Sequence, residues 1–599
     1  MSPPIDEALK DRFGLESFRA WQREAIEALL EGPGRVLVVA PTGGGKSLTY
    51  QLPAAILEGT ALVISPLVAL MEDQVRGLTA RGIRATYLAS TLEARERHAR
   101  EAAMLRGEYE LVYAAPERLA SDAFVELVAR SKLSLVAIDE AHCIAQWGHD
   151  FRPDYLRIGA LLDRVRPPRV LACTATATPS VRDEIRKQLG FDRGPRPCHE
   201  VLRGFARPNL HLAAQTVDGP KQARAALAAA LTEALGSPSS PRGGAIVYAA
   251  TRKATEQYAA LLSSRGWNAA GYHAGMEADV RTKVADAFAA RRIDVVVATN
   301  AFGMGIDRSD IRTVVHVPPP SSIEAYYQEV GRAGRDGKEA AGLLLCSGAD
   351  ISLRRRLMST NADWFLFREL LRYIDARSCR HDFVLRYFGD EHELLGGCGH
   401  CDVCLALEDE QIEASSEETT LIVKKALSAV ARAQRRGGLA AVAEMLHGDE
   451  NEKTRRIGFT ELSTFGLLRD RSLPWIVALL RALLAAGWID LTTSEHPVPF
   501  LTRAGAEVMK GEALARLVLP AEPRAVGRGK ASSERGRAPR GSARQGAEDP
   551  LDEGSRELVA FAGVARPPWA REACVRSGRL LRVEAARVPD RRRREIRHR

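Results

Sequence analysis

Residues 35–51 read RVLVVAPTGGGKSLTYQ, which is an apolar run, a glycine-rich loop and the beginning of a helix-length segment. The loop fits the phosphate-binding pattern GxxxxGK[ST], except that Ala40 occupies the position of the first glycine. Backbone N–H groups of Gly43, Gly44 and Gly45 can face phosphate oxygens because no Cβ intrudes, and the following helix directs its positive end to the same place. This stretch predicts an α/β fold with a nucleotide site at the end of a buried strand.

Side chains of the same loop are candidates for the remaining nucleotide contacts. Lys46 would reach the β and γ phosphates of ATP, Ser47 would hold Mg²⁺, and Thr42 would border the phosphates. Taken alone, the run could also be a structural glycine turn. A second motif is therefore needed to support a nucleotide site.

That motif is DEAH at residues 139–142, which follows the apolar run LSLVAI. Mg²⁺ keeps several waters and takes few protein ligands, so Asp139 suffices to anchor it. Glu140 is then free to position and polarise an attacking water. In isolation the segment could be a strand that leads into a solvated helix, but the glycine loop and DEAH together predict hydrolysis of a nucleoside triphosphate.

The first 350 residues contain two segments with one arrangement, a short β-rich run followed by a turn and a helix-length polar stretch. Such alternation favours parallel sheets with right-handed crossovers and with ligand loops at the carboxyl ends of the strands. We expect two α/β domains that join near residues 200–208. The runs are RVLVVAPTGGGKS, TALVISPLVAL, YELVYAAPERL, LSLVAIDEAH and RVLACTATATP in the first domain, and GGAIVYAATRK, WNAAGYHAGM, IDVVVATNAFGMG, IRTVVHVPPP and AAGLLLCSG in the second.

Two arginines of the second domain lie in the segment YYQEVGRAGRDG. Arg332 and Arg335 are three residues apart, so both can lie on one face of a helix. Phosphoryl transfer needs positive charge on the γ-phosphate in the transition state. If these arginines reach across a cleft, hydrolysis will occur only when the domains close; structural ion pairs are the alternative role.

Four of the nine cysteines form one cluster, in which Cys379 stands 19 residues before CGHCDVC. Thiolates at this spacing close a tetrahedral site, and four of them predict structural Zn²⁺. The tight C-x2-C-x2-C part would also suit an iron–sulfur cluster, and His400 is an alternative ligand. The expected ligands are Cys379, Cys398, Cys401 and Cys404.

Helices and then two extended runs around a Pro-containing turn, over residues 415–515, fit a winged helix. Arg469 and Arg471 precede its long helix, where phosphate contact is expected. Residues 521–547 have the Pro, Gly, Ser and Arg composition of a linker that cannot bury a core.

Net charge and hydropathy limit the classes of protein to which this chain can belong. The net charge of +9 resides in residues 521–599, which hold 20 basic and 11 acidic residues, so residues 1–520 are neutral. A nucleic-acid groove in the folded part must then come from local charge arrangement. The chain begins MSPPIDEALKDRF and has no apolar stretch near the roughly 20 residues of a membrane span, which predicts a cytoplasmic protein without a membrane partner.

The loop after DEAH, IAQWGHDFRPDY, is rich in aromatic residues where few are expected. Together with FGLESFRAWQREAI, APTGGGKSL, SPLVALMEDQ, TATAT, YHAGM, ATNAFGMGID and QEVGRAGRDG, it resembles the RecQ DNA helicases of superfamily 2, from about residue 9 to about residue 515. The resemblance implies an ATP-dependent 3′-to-5′ DNA helicase of recombination and repair, with ATP, Mg²⁺ and Zn²⁺ as cofactors. Single-stranded DNA, duplex DNA and a single-stranded-DNA-binding protein are the expected partners of a monomer.

The resemblance also implies roles for individual residues. The aromatic loop would sense single-stranded DNA and link its binding to hydrolysis, and base stacking on aromatic rings has no sequence preference. Arg19 and Gln22 would recognise adenine, the threonines of TATAT would couple the domains, and Thr299 and Asp307 would contact DNA and nucleotide. The loop residues that match this pattern are Trp147, His149, Phe151, Arg152 and Tyr155.

The expected architecture is α/β: two tandem RecA-like parallel-sheet domains, then a helical zinc-binding subdomain and a winged helix. The expected bounds are 1–204, 205–348, 349–410 and 411–516, followed by a basic linker and a degenerate or truncated C-terminal module over 517–599. A DNA-stimulated ATPase or translocase without strand separation is the alternative function. An RNA helicase and a non-enzymatic DNA-binding protein fit the motifs less well.

Overall fold

The computed structural model describes residues 5–145, 151–193, 197–300, 302, 308–358, 360–408, 416–492 and 498–520. Its first domain contains a seven-stranded sheet in the order β3-β4-β2-β5-β6-β1-β7, in which every pairing is parallel. The strands are β1 Arg35–Val39, β2 Thr60–Ile64, β3 Ala85–Leu88, β4 Leu111–Ala114, β5 Leu133–Ile138, β6 Val170–Thr174 and β7 His199–Leu202.

The second domain contains a six-stranded sheet in the order β12-β13-β11-β14-β15-β8, again parallel throughout. The strands are β8 Leu210–Thr216, β11 Gly244–Ala249, β12 Ala269–Tyr272, β13 Val295–Ala298, β14 Ile311–Val317 and β15 Ala340–Cys346, and a separate two-stranded ladder joins β9 Gly236–Ser237 to β10 Ser240–Pro241. The prediction of two parallel α/β sheets is confirmed.

Three strands of the two large sheets, β3, β7 and β8, are absent from the runs named from the sequence. Each lies at the edge of its sheet and is only partly buried: β3 and the first half of β8 alternate buried with partly exposed positions, and the first two residues of β7 are partly exposed. Central strands such as β1 and β2 are buried on both faces and therefore have continuous apolar runs. The change from one sheet to the other occurs between β7 and β8, at residues 203–209.

Helices cover both faces of the two sheets. In the first domain they are α1 Ile5–Phe13, α2 Ala20–Leu30, α3 Leu48–Ile56, α4 Val68–Thr79, α5 Ala94–Leu105, α6 Asp122–Arg130, α7 Arg157–Val165 and α8 Pro179–Gln188, with short 3-10 helices at Pro116–Ala120, Ala141–Ile144, Pro153–Leu156 and Phe191–Arg193. In the second domain they are α9 Pro220–Leu235, α10 Arg252–Ser263, α11 Ala278–Ala289, α12 Ile323–Val330 and α13 Gly348–Leu357.

The carboxyl-terminal part is helical, as the sequence predicts. The cysteine-containing region has helices α14 Asn361–Ile374, α15 Arg380–Phe388 and α16 Asp402–Leu407, with a 3-10 helix at Glu391–Glu393. The next region has helices α17 Ser416–Ala433, α18 Leu439–His447, α19 Glu452–Arg456, α20 Leu473–Ala485 and α21 Arg503–Lys510, and an antiparallel pair of β16 Ile489–Leu491 and β17 Pro499–Leu501. Helices packed on a small hairpin form the predicted winged helix.

This last region has its own apolar core, and Trp475 in it donates from Nε1 to the carbonyl of Pro520 at 2.7 Å. In the described parts of the chain, we find no helix with the length and hydrophobicity needed to cross a bilayer. Most of residues 517–599, including the predicted linker and C-terminal module, lie outside the described residues.

Candidate nucleotide and nucleic-acid sites

The glycine loop connects β1 to α3 at the carboxyl edge of the first sheet. Gly43 and Gly45 have φ values of +77° and +82°, a backbone conformation that favours glycine. Lys46 folds over the loop and donates from Nζ to the carbonyls of Ala40, at 2.9 Å, and Pro41, at 3.3 Å. Ser47 precedes α3 as its N-cap residue. The loop thus has the backbone geometry of a phosphate cradle.

Gln22 in α2 holds this loop from the side. Its Nε2 donates to the carbonyl of Gly45 at 3.1 Å, and its Oε1 accepts from the backbone N–H of Arg19 at 2.9 Å. The structure thus ties the predicted adenine-recognising glutamine to the phosphate loop. Arg19 itself is exposed, and Thr42 is half-buried.

The two carboxylates of DEAH lie at the end of β5. Asp139 is buried, and its Oδ1 accepts from the backbone N–H of Glu140 at 3.0 Å and from Sγ of Cys173 at 3.3 Å. Burial raises the pKa of Asp139 above its ordinary value, the charge of Glu140 adds to this effect, and Lys46 opposes it. Asp139 is therefore a buried acidic side chain at the carboxyl edge of the first sheet, close enough to Lys46 for the two charges to interact.

Glu140 has a left-handed backbone, with φ of 48°, which is uncommon for a residue with a side chain. Its Oε2 lies 3.3 Å from Nδ1 of His142, and that nitrogen is also 2.8 Å from Oγ1 of Thr174. Burial opposes protonation of His142, but Cys143 and Glu140 outweigh burial and raise the pKa of His142 to about 10. Glu140 is therefore linked through a buried histidine to the TATAT segment, a role for His142 that the motif analysis did not assign.

The aromatic loop is described in part. Trp147 and His149 lie outside the described residues. Arg152 is half-buried and donates from Nη1 to the carbonyl of Pro66 at 3.1 Å, and Phe151 is also half-buried.

Tyr155 does not fit the expectation of base stacking. Its side chain is 1% exposed, and its hydroxyl donates to the carbonyl of Asp139 at 3.0 Å. A ring enclosed by the core cannot present a face to a base, so the stacking role is wrong for Tyr155 in this structure. Its bond to Asp139 instead connects the end of the loop to the carboxylate strand.

Arg332 and Arg335 lie in the turn after α12, which ends at Val330, so the expectation of one helical face is wrong. The helix ends early because Gly331 and Gly334 follow it and Gly334 has a φ of +63°. The position that a Cβ on Gly43 would occupy lies 3.0 Å from both Cδ and Nε of Arg335. Arg335 thus reaches from the second domain to the phosphate loop of the first.

Arg332 is buried beside Tyr248 of β11. Burial raises the pKa of Tyr248 to about 12, while Arg332 and Arg335 both act in the opposite direction. The hydroxyl of Tyr248 donates to the carbonyl of Phe302 at 3.0 Å. Tyr248 therefore connects Phe302 to the side of the second domain that carries the two arginines.

The segment between the sheets, residues 203–209, positions the arginine turn. Arg207 donates from Nη2 to the carbonyl of Ala333 at 2.8 Å, and Asn209 donates from Nδ2 to that of Gly334 at 2.8 Å. Gly204, in the same segment, lies against the phosphate loop, since a Cβ there would be 3.2 Å from Cδ of Pro41. The sequence analysis did not identify Arg207 and Asn209, although both lie in or next to the predicted joint between the domains.

Thr299 follows β13, and its backbone N–H donates to the carbonyl of Tyr272 at 3.2 Å. It is half-buried and lines a cavity of about 150 Å³ together with Tyr248 and His316. Asp307 lies outside the described residues, as do Gly303 and Gly305.

The four predicted metal ligands converge. The sulfur atoms of Cys379, Cys398, Cys401 and Cys404 all lie within 4.8 Å of one another. Backbone N–H groups donate to three of the sulfurs. The N–H of Cys398 lies 3.3 Å from Sγ of Cys379, that of Cys401 lies 3.2 Å from Sγ of Cys398, and that of Cys404 lies 3.4 Å from Sγ of Cys401. Such donors stabilise thiolates, and a four-thiolate set without an open position fits structural Zn²⁺.

Arg469 and Arg471 differ in their surroundings. Arg469 is exposed, with Nε donating to the carbonyl of Gly466 at 3.2 Å. Arg471 is paired with Glu418 at 2.8 Å and lies over the ring of Trp475 at 4.9 Å. Arg471 therefore packs within the winged helix.

Four family models match the chain. They are the DEAD/DEAH box helicase over residues 19–185, the helicase conserved C-terminal domain over 226–337, RecQ zinc-binding over 349–405 and the RQC domain over 413–526.

Similar proteins occur in bacteria. The ATP-dependent DNA helicase RecQ of Bacillus subtilis (strain 168) is 39% identical over 509 residues, which are 84% of this chain and 82% of the relative. That of Haemophilus influenzae (strain ATCC 51907 / DSM 11121 / KW20 / Rd) is 34% identical over 526 residues, 86% and 81% of the two chains. Among solved structures, Mycobacterium smegmatis helicase Lhr bound to ssDNA and AMP-PNP aligns with a TM-score of 0.46 and 22% identity, over 62% of this chain and 49% of that one.

Proposed function

Because this chain belongs to the RecQ family of ATP-dependent DNA helicases, we propose that it unwinds duplex DNA by moving 3′ to 5′ along one strand, in recombination and repair. Support for the polarity comes from the family resemblance of the motifs. We further propose that it acts as a cytoplasmic monomer, with a single-stranded-DNA-binding protein as a partner.

The observation that carries the proposal is the contact of Arg335 with the phosphate loop across the interdomain cleft. A guanidinium at this position would neutralise charge that develops on the γ-phosphate during transfer. The contact requires the sheets of the two domains to be close together. Each round of hydrolysis would then open and close the cleft, which converts ATP turnover into movement along DNA.

Within this scheme the carboxylates divide the chemistry. Asp139 and Ser47 would hold Mg²⁺, which when bound neutralises the phosphates, and Lys46 would leave the loop carbonyls for the β and γ phosphates. Glu140 would orient the attacking water. The contacts of Glu140 with His142, and of His142 with Thr174, would fix the position of the Glu140 carboxylate.

The aromatic loop would report the presence of DNA to this site. Tyr155 joins the end of the loop to the carbonyl of Asp139, so a shift of the loop upon DNA binding would move the metal-binding strand end. Trp147, outside the described residues, remains the proposed base-stacking residue. Trp147→Ala should then leave DNA binding largely intact and remove the stimulation of ATP hydrolysis by DNA.

The proposed function is tested with one duplex that carries a 3′ or a 5′ single-stranded tail, with and without ATP and Mg²⁺. Unwinding of only the 3′-tailed duplex, and only with ATP, is the expected result. Preference for the 5′ tail would overturn the polarity. Lys46→Ala is the control for nucleotide-driven work.

A translocase that hydrolyses ATP on DNA without strand separation is the second candidate. The two strands of the winged helix have only three residues each, and the sequence between them, TTSEHPV at residues 492–498, contains no Trp, Tyr or Phe that could wedge between base pairs. DNA-stimulated hydrolysis with no strand separation on either substrate would favour this function.

A further inference from the structure

Three histidines surround the cysteine cluster on the side that faces the second sheet. The ring of His400 lies 4.8 Å from that of His381 and 5.3 Å from that of His211, measured between centroids. His381 is on α15, His400 is between two of the cysteines, and His211 is on β8. Three imidazole rings therefore lie next to one another beside the four thiolates.

Each of these imidazoles is held by a backbone carbonyl through one ring nitrogen. The distances are 2.9 Å from Nε2 of His381 to the carbonyl of Leu210, 2.7 Å from Nδ1 of His400 to that of Cys398, and 3.1 Å from Nδ1 of His211 to that of His400. A carbonyl only accepts, so each of these nitrogens carries the proton and the other nitrogen keeps its lone pair. Metal-binding histidines are commonly oriented in this way.

Two of the rings lie near the sulfur of Cys398. One ring nitrogen each of His381 and His400 and the sulfur of Cys398 all lie within 4.8 Å of one another. Among the described residues, Nε2 of His400 is a buried nitrogen with no hydrogen-bond partner. A polar atom left this way has a desolvation cost that a bound cation would remove.

We propose that His381, His400 and Cys398 form a second zinc site, in which the thiolate of Cys398 bridges the second ion and the ion of the four-cysteine site. Two imidazoles and a thiolate suit a zinc-like divalent ion better than Mg²⁺ or Ca²⁺, which prefer oxygen ligands. The fourth position is left to water or to His211, whose Nε2 keeps its lone pair.

A route to the second site exists. His211 and His400 line a cavity of about 960 Å³ that is also bordered by the first residues of β15. An ion could therefore exchange through this cavity while the four-cysteine zinc stays in place. Because His381 is anchored to Leu210 of β8, the second ion would brace the zinc-binding region against the second motor domain.

The test is the zinc content of the full chain after equilibration in micromolar free Zn²⁺, measured by mass spectrometry of the metal. We expect two ions per chain in the wild type and one in His400→Asn and His381→Asn, with affinity for the second ion lowered by at least roughly 10–100-fold. His98→Asn, which removes an exposed histidine of α5, is the matched control and should retain two.

One zinc ion per chain in the wild type would overturn the proposal, and so would two ions in His400→Asn. One ion in the wild type is also the result expected if His400 only replaces a cysteine in a single site. Since His381→Asn could disturb folding through Leu210, a Co²⁺ titration of the zinc-loaded wild type provides an independent measurement. The added ion should give a thiolate-to-cobalt charge-transfer band from Cys398, and the absence of this band would contradict a bridging thiolate.

Discussion

At the scale of single residues, Arg335 connects the two sheets through its contact with Gly43. We expect Arg335→Ala to lower kcat for ATP hydrolysis by roughly 10³-fold or more, because the transition state loses its guanidinium while the ATP-binding loop is intact. Pre-steady-state hydrolysis at saturating ATP and DNA measures this effect. Arg335→Lys, which keeps the charge and loses the planar fork, should recover only part of the rate, and a wild-type kcat in Arg335→Ala would exclude a role in transfer.

The raised pKa of Asp139 should make Mg²⁺ binding depend on pH. A carboxyl whose pKa is raised retains its proton at higher pH than an ordinary aspartate, and the protonated form does not bind Mg²⁺. The apparent Mg²⁺ affinity should therefore fall by roughly tenfold per pH unit below that pKa, beginning at higher pH than for an exposed carboxyl.

Titration of Mg²⁺-dependent hydrolysis from neutral to mildly acidic pH measures this fall. Cys173→Ala removes a hydrogen bond that favours the ionised carboxylate and should move the midpoint to higher pH. A Mg²⁺ affinity that is constant over the same range would contradict the assignment of Asp139 as the metal ligand.

At the scale of elements, the interdomain segment fixes the arginine turn through Arg207. Arg207→Ala should lower kcat far more than it raises KM for ATP, since it releases the turn that carries Arg335 and leaves the glycine loop unchanged. The loss of a hydrogen bond from a charged donor should also cost about 2 kcal/mol of the free energy of unfolding. Kinetics and thermal unfolding together measure both effects, with exposed Arg224→Ala as the control; an unchanged kcat would contradict the role.

The winged helix offers a matched pair of arginines. Arg469→Ala should weaken duplex binding at low salt and reduce the salt dependence by about one phosphate contact, without a change in unfolding temperature. Arg471→Ala should instead lower the unfolding temperature, because it removes the pair with Glu418 and the contact with Trp475. Binding isotherms over a range of salt concentrations, with thermal unfolding, distinguish the two; identical behaviour of the variants would count against this division.

These elements show what the sequence can predict. The glycine loop and DEAH are local, because each brings its chemistry together within a few residues, and the four cysteines are recognisable from their spacing over residues 379–404. Arg207 bonds to Ala333, 126 positions away, and Glu393 accepts from the backbone N–H of Gly204, 189 positions away. Such contacts depend on how the domains pack, and a single sequence contains no periodicity that reveals them. The edge strands β3, β7 and β8 were missed because they lack a continuous apolar run, and base stacking was wrongly expected of Tyr155 because an aromatic residue in a loop can turn into the core.

At the scale of the whole molecule, the zinc-binding region supports the joint between the motor domains. Glu393, between Cys379 and Cys398, accepts from the backbone N–H groups of Gly204 and Ala206 at 2.8 and 2.9 Å. Removal of zinc should therefore loosen residues 349–408 first and then residues 203–209, while the fold of the phosphate loop stays unchanged. Hydrogen exchange before and after chelation, with Mg²⁺ restored, measures this order. Simultaneous exchange throughout the first sheet would contradict it.

The outer edge of β8 has a further consequence. In the second sheet β8 is an edge strand, and its exposed side is covered by α16, where Asp402 accepts from the backbone N–H of Ala214 at 3.1 Å. Unpaired strand edges are templates for pairing with other chains. We therefore expect the metal-binding region to shield this edge, so that loss of zinc would expose β8 to pairing with other chains and promote aggregation of the protein.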